Sequence, residues 1–186
     1  CGPWTAALDS VGRERPPPAA WESPATPGAP DEAAEAAIRV GLLSADSVVA
    51  RSTTFPSGAV TPRPRVMPSG CVDDSDNWGS PTAPEGPCGE RRVSLVVQGD
   101  LVLDGGEGQG VLVVTGDLTL VEGAFFSGLV LVGGDLTLAA GSRIEGVVRA
   151  GGRAHVSSES RVSGRACPAL LALQAAADLR RPIRLP

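Results

Sequence analysis

This sequence predicts an all-β chain folded as a short β-solenoid, and three observations carry the prediction. Glycines recur at a spacing of 18 residues, at Gly110, Gly128, Gly146 and Gly164 and again at Gly116, Gly134 and Gly152. Asp117 and Asp135 keep the same interval, with Asp100 seventeen residues before Asp117. Cut at these glycines, residues 93–163 read in sixes whose apolar residues alternate, the pattern of a strand with one face inward. A repeat of this length with glycine at the corners describes stacked coils, each made of three six-residue strands.

The elements follow in order. Residues 1–30 are rich in proline, with Pro16, Pro17 and Pro18 consecutive. Proline fixes φ and removes donors, so this segment reads as an extended arm. It carries Trp4 and Trp21, expected to anchor the arm on a partner protein. Residues 31–92 read as an irregular region. Its first part, 31–51, suggests a short helix followed by a strand. Its second part holds Cys71 and Cys88 in a loop with little apolar content, where a disulfide would add roughly 3 kcal/mol by restricting the unfolded chain. Four cysteines without metal-ligand spacing suit an oxidising compartment. For the other pair, Cys1 would either bond Cys167 or be the acylated first residue of a processed lipoprotein, in contact with a membrane surface.

Residues 93–166 are the solenoid itself, four coils standing about 19 Å tall at about 4.8 Å per strand step. Coil one (93–109) is one residue short; coils two to four run 110–127, 128–145 and 146–163. In coil four the fourth positions are Arg149, His155 and Arg161, so positions three and five should point inward. On face one the inward stacks are then Leu95, Leu112, Val130, Val148 and Val97, Val114, Val132, Ala150. On face two they are Leu101, Leu118, Leu136, Ala154 and Leu103, Leu120, Leu138, Val156. Face three contributes Ala124, Phe126, Ser142, Ile144, Ser160 and Val162. The same phase leaves Val96, Val111, Val113, Leu129, Leu131 and Val147 outward on face one, an apolar wall that water penalises at about 25 cal/mol per Å². Either residues 31–60 cover it or it docks a partner, and these six residues are the candidate docking surface. Residues 167–186 should form a helix, with Pro168 near its start and Leu170, Leu171, Ala175 and Leu179 on one side. This helix is expected to close the C-terminal end of the solenoid, and the cysteine loop the other end.

Composition narrows the chemistry. The formal charge of -5 gives no basic face for a nucleic-acid partner. No apolar run reaches the roughly 18 to 20 residues that span a bilayer. The stacked Asp100, Asp117 and Asp135 each follow a corner glycine, and they are read as caps on turn amides rather than calcium ligands, which need six or more oxygens. His155, the single histidine, sits outward beside Arg153 and is read as non-catalytic. The glycine-rich GGEGQG at 105–110 lacks the Lys and Ser/Thr of a phosphate loop and reads as a solenoid corner.

The runs GCVDDSDNWGSP and PC within 70–88, QGDLVLDGGEGQGVLVVTGDLTL at 98–120 and FFSGLVLVGGDLTL at 125–138 resemble the extracytoplasmic region of PilX-type pilus-assembly proteins, minor-pilin-like chains of Gram-negative bacteria. The resemblance covers about residues 60–180 and implies an exported, non-catalytic, β-rich module. Members of that family begin with a hydrophobic pilin helix, where this sequence has its Pro/Trp arm. The expectation is therefore a periplasmic or extracellular structural subunit without cofactor, metal or small-molecule substrate. It would dock on protein subunits of a larger membrane-associated assembly, such as a respiratory or photosynthetic complex. The alternatives are a minor pilin and a bactofilin-like polymer.

Overall fold

The structure, a computed structural model, describes residues 53–176. Trp4, Trp21, Cys1, Leu179 and the helix and strand expected over 31–51 lie outside the described residues. Thirteen strands and one helix follow in order: β1 (Thr53–Phe55), β2 (Gly58–Val60), β3 (Val66–Met67), β4 (Gly70–Cys71), β5 (Val93–Val97), β6 (Leu101–Asp104), β7 (Glu107–Val114), β8 (Leu118–Val121), β9 (Phe125–Val132), β10 (Leu136–Leu138), β11 (Arg143–Ala150), β12 (Ala154–Val156), β13 (Arg161–Gly164) and α1 (Ala166–Ala175).

The strands stack in parallel as a β-solenoid. One sheet runs β1-β5-β7-β9-β11-β13, the other β12-β10-β8-β6-β2, and β3 and β4 form a separate antiparallel hairpin. The register is the one the repeat predicts: Leu95 faces Leu112, Leu112 faces Val130, and Val130 faces Val148. On face two Leu101 faces Leu118, Leu118 faces Leu136, and Leu136 faces Ala154. These ladders form the main core, together with Val97, Val114, Leu103, Leu120, Leu138, Phe126 and Ile144. Ala154, at the last rung, is exposed. The residue missing from coil one is lost at the corner between Asp104 and Glu107. There Gly105 and Gly106 stand where coil two has Glu122, Gly123 and Ala124, so every strand keeps its pairing.

The expected three strands per coil are two. Faces three and one form one eight-residue strand in β7, β9 and β11, bent but not ended at Gly110, Gly128 and Gly146. Each of these glycines has φ between 134° and 146°, and a Cβ there would collide with the backbone one coil earlier. The bend therefore needs glycine both for its backbone angle and for close stacking.

The solenoid also starts earlier than residue 93. β1 pairs with β5 (Thr53 opposite Leu95) and β2 with β6 (Gly58 opposite Leu101), adding a rung on faces one and two. Residues 61–92 then leave the coil and return, so this rung lies 42 or 43 residues before its neighbour instead of 17 or 18. That inserted loop hides the first rung from any search for the 18-residue period.

The helix forms but does not close the C-terminal end. α1 lies across face one against β7, β9 and β11. Ala169 and Ala172 are buried against Val96, Val111, Val113 and Leu129, with Leu131, Val147 and Leu173 packed beside them. The contact face is thus built on alanines, which let the helix approach closely, while Leu170 is 38% exposed. Covering the apolar wall removes its hydrocarbon from water, which favours the helix lying there.

Candidate functional site

The six residues expected to dock a partner are covered by the chain's own helix. Val96, Val111, Val113 and Leu129 are buried, and Leu131 and Val147 are partly buried. The wall is therefore covered within this chain, by residues 166–175; residues 31–52, also expected there, lie outside the described residues. Among the described residues the exposed large apolar side chains are Val66 and Met67, each 54% exposed, and Leu170. Val66 and Met67 form β3 of the hairpin, flanked by Pro64 and Pro68, and Cys71 ends its other strand.

Cys71 and Cys88 are disulfide-bonded, with Cα atoms 5.0 Å apart. Cys167, at the start of α1, is disulfide-bonded as well. Around the first bridge the loop is packed. Asn77 is fully buried, its Nδ2 donating to the carbonyls of Val72 (2.7 Å) and Arg65 (3.2 Å) and its Oδ1 accepting from the Gly79 amide. The Arg91 guanidinium donates to the carbonyls of Asn77 and Asp74 and pairs with Asp73 at 2.8 Å.

The loop is also part of the solenoid core, which sequence reasoning missed. Trp78 is fully buried, edge-on to Phe55 at 5.2 Å and to Phe126 at 6.5 Å between ring centres. Gly108 occupies the inward position that Phe126, Ile144 and Val162 fill in the later coils, and a Cβ on it would run into the Trp78 side chain. The glycine of coil one leaves an aromatic-sized hole and the loop tryptophan fills it. A missing apolar residue in an otherwise complete inward stack was the signal available in the sequence.

The GGEGQG segment is the matching socket. Gln109 is buried and donates from Nε2 to the carbonyls of Gly89 (2.7 Å) and Arg91 (2.9 Å), and its amide donates to the Trp78 carbonyl at 2.8 Å. Glu107 accepts from the Ser80 hydroxyl (2.6 Å) and from the amide and hydroxyl of Thr82, and its amide donates to the Pro62 carbonyl. The Asn-Trp-Gly stretch and the Gly-Glu-Gly-Gln stretch are therefore two halves of one joint. Beside it opens a cleft of about 420 Å³ lined by Thr82, Glu107, Phe125 and Arg143 over the backbone of Gly106, Gly123 and Gly141. The Arg143 guanidinium lies 4.0 Å above the Phe125 ring.

The aspartate ladder closes corners. Asp100 Oδ1 accepts from the Asp117 amide (2.9 Å), Asp117 from the Asp135 amide (2.8 Å), and Asp135 from the Arg153 amide (2.7 Å). Each carboxylate sits beneath the glycine of the next coil, where a Cβ would touch its Oδ1. Close approach explains the glycines repeated at 116, 134 and 152. Among the described residues no group of three or more His, Cys, Asp or Glu is placed to hold a metal ion. His155 is exposed on β12 opposite Thr137. Among the described residues no helix is long and apolar enough to cross a membrane.

No protein family matches the chain, and neither a curated protein nor a solved structure matches it.

Proposed function

We propose that the chain is a non-catalytic structural subunit of an oxidising, extracytoplasmic compartment that docks on a larger membrane-associated protein assembly. The observation that carries the reading is the Cys71–Cys88 loop, whose tryptophan completes the solenoid core: here the disulfide supports the fold, a use of cysteine typical of exported proteins. The polar groups that first suggest chemistry support it too. The Asp ladder, Glu107 and Gln109 all hold backbone or loop groups in place. The resemblance to PilX-type proteins points the same way.

With the apolar wall covered by α1, docking falls to Trp4 and Trp21 of the arm and to the exposed Val66–Met67 strand of the hairpin. The test is co-purification from native membranes of the tagged chain, a variant lacking residues 1–30, and Val66→Asp combined with Met67→Asp. Partner proteins that are recovered with the intact chain and lost with either variant support the proposal. The same recovery with all three, or cysteines found reduced in freshly isolated material, would contradict it.

A further inference from the structure

Among the described residues, both sheets stop at the C-terminal end with their last strands unpaired on one side. β13 ends one sheet and β12 the other. Arg153 accepts from the Leu136 amide through its carbonyl (2.8 Å), and the Ser157 amide donates to Leu138 (2.9 Å). The Arg161 amide donates to Ser142 and the Arg165 amide to Gly146, both at 3.0 Å. Because backbone groups alternate in direction along a strand, the amides of Ala154, Val156, Val162 and Gly164 point away from the stack, toward the open edge. The core is open there as well: Val148, Ala150, Val156 and Val162 are only partly buried, and α1 lies along face one.

We propose that this edge docks the N-terminal part of a second copy of the chain, continuing the stack head to tail. Two observations select that occupant. Among the described residues, β1 and β2 end the same two sheets at the opposite side, so a second copy placed there keeps every strand parallel and every face in line. Charge is divided along the same axis. Residues 53–138 carry eleven Asp and Glu against four Arg, whereas residues 139–176 carry five Arg, all exposed, against two Glu. A tail-to-tail pair would bring the arginine-rich ends together, whereas head-to-tail stacking sets that end against an uncharged first rung backed by the net-negative part of the chain. Such a contact does not close on itself, so it adds copies in a row. The inference stands apart from the assembly proposed above, which concerns a different protein.

Sedimentation velocity on the full, oxidised chain between about 1 and 200 μM tests it. Concentration-dependent dimers and longer species are expected, with association weakening on the order of tenfold between low and high salt as surface charges are screened. Ala154→Pro removes a donor that faces only the open edge and should weaken association at least about tenfold with an unchanged circular dichroism spectrum. Arg153→Glu combined with Arg161→Glu, which leaves the backbone alone, should do the same and decides the matter if the proline variant misfolds. A chain that stays monomeric throughout overturns the proposal, as does association indifferent to the charge variant. Association that appears only after removal of residues 177–186 assigns the edge to the chain's own tail and overturns it equally.

Discussion

Gly134 lies directly over the carboxylate of Asp117 and the backbone of Gly116, and even a methyl group has no room there. Gly134→Ala should cost about 1–3 kcal/mol as the stack is forced apart, read as a shift in the urea midpoint. Asp117→Ala removes the acceptor of the Asp135 amide and should cost about 1 kcal/mol, while Asp117→Asn, which keeps an oxygen in place, should cost much less. If the ladder instead required charge, the Asn and Ala variants would be equally damaging. Trp78 is the largest fully buried side chain among the described residues. Trp78→Ala should therefore cost about 3–5 kcal/mol, despite its place in a Pro/Gly-rich loop. Pairing Trp78→Gly with Gly108→Ala in the same chain tests the joint directly, since the Trp78 Cβ and Cε3 that a Cβ at 108 would meet are then both gone. The double variant should be less unstable than the two single losses summed.

At the scale of elements, the disulfide loop and the helix are both parts of the packing rather than attachments. Cys71→Ser with Cys88→Ser should destabilise the whole solenoid by roughly 3 kcal/mol by the loop-entropy argument. It should also red-shift tryptophan emission if the loop lifts Trp78 out of the core. A loop that merely hung from the rod would leave the solenoid's melting transition unchanged. Ala172→Arg, placed where α1 meets the wall, should raise binding of an apolar dye as Val111 and Leu129 are uncovered.

These two elements also show what the sequence could disclose. The coils from 93 onward were legible because glycine, aspartate and alternating leucine and valine keep one period, and the inward phase followed from where Arg149, His155 and Arg161 fall. The wall was legible as a surface in need of cover. Its cover was not, because a helix that packs through Ala169 and Ala172 looks, by hydrophobicity, as if it should pack through its leucines. The first rung was hidden by the 61–92 insertion, and the role of Trp78 by its lying in a loop that bears no repeat.

As a whole molecule the described chain is a parallel stack in which the inserted loop completes the first rung and the helix seals one side. This arrangement makes the strands, loop and helix one cooperative unit, and native-state hydrogen exchange on the full oxidised chain measures that cooperativity most directly. Amides of β7, β9 and β11, the Asp117 and Asp135 amides on the ladder, the Gln109 amide bonded to Trp78, and the mid-helix amides of α1 should all exchange through one common global opening. Slow exchange in the strands with α1 and Gln109 exchanging orders of magnitude faster would contradict the account, leaving a bare solenoid with a loose loop and an uncovered wall.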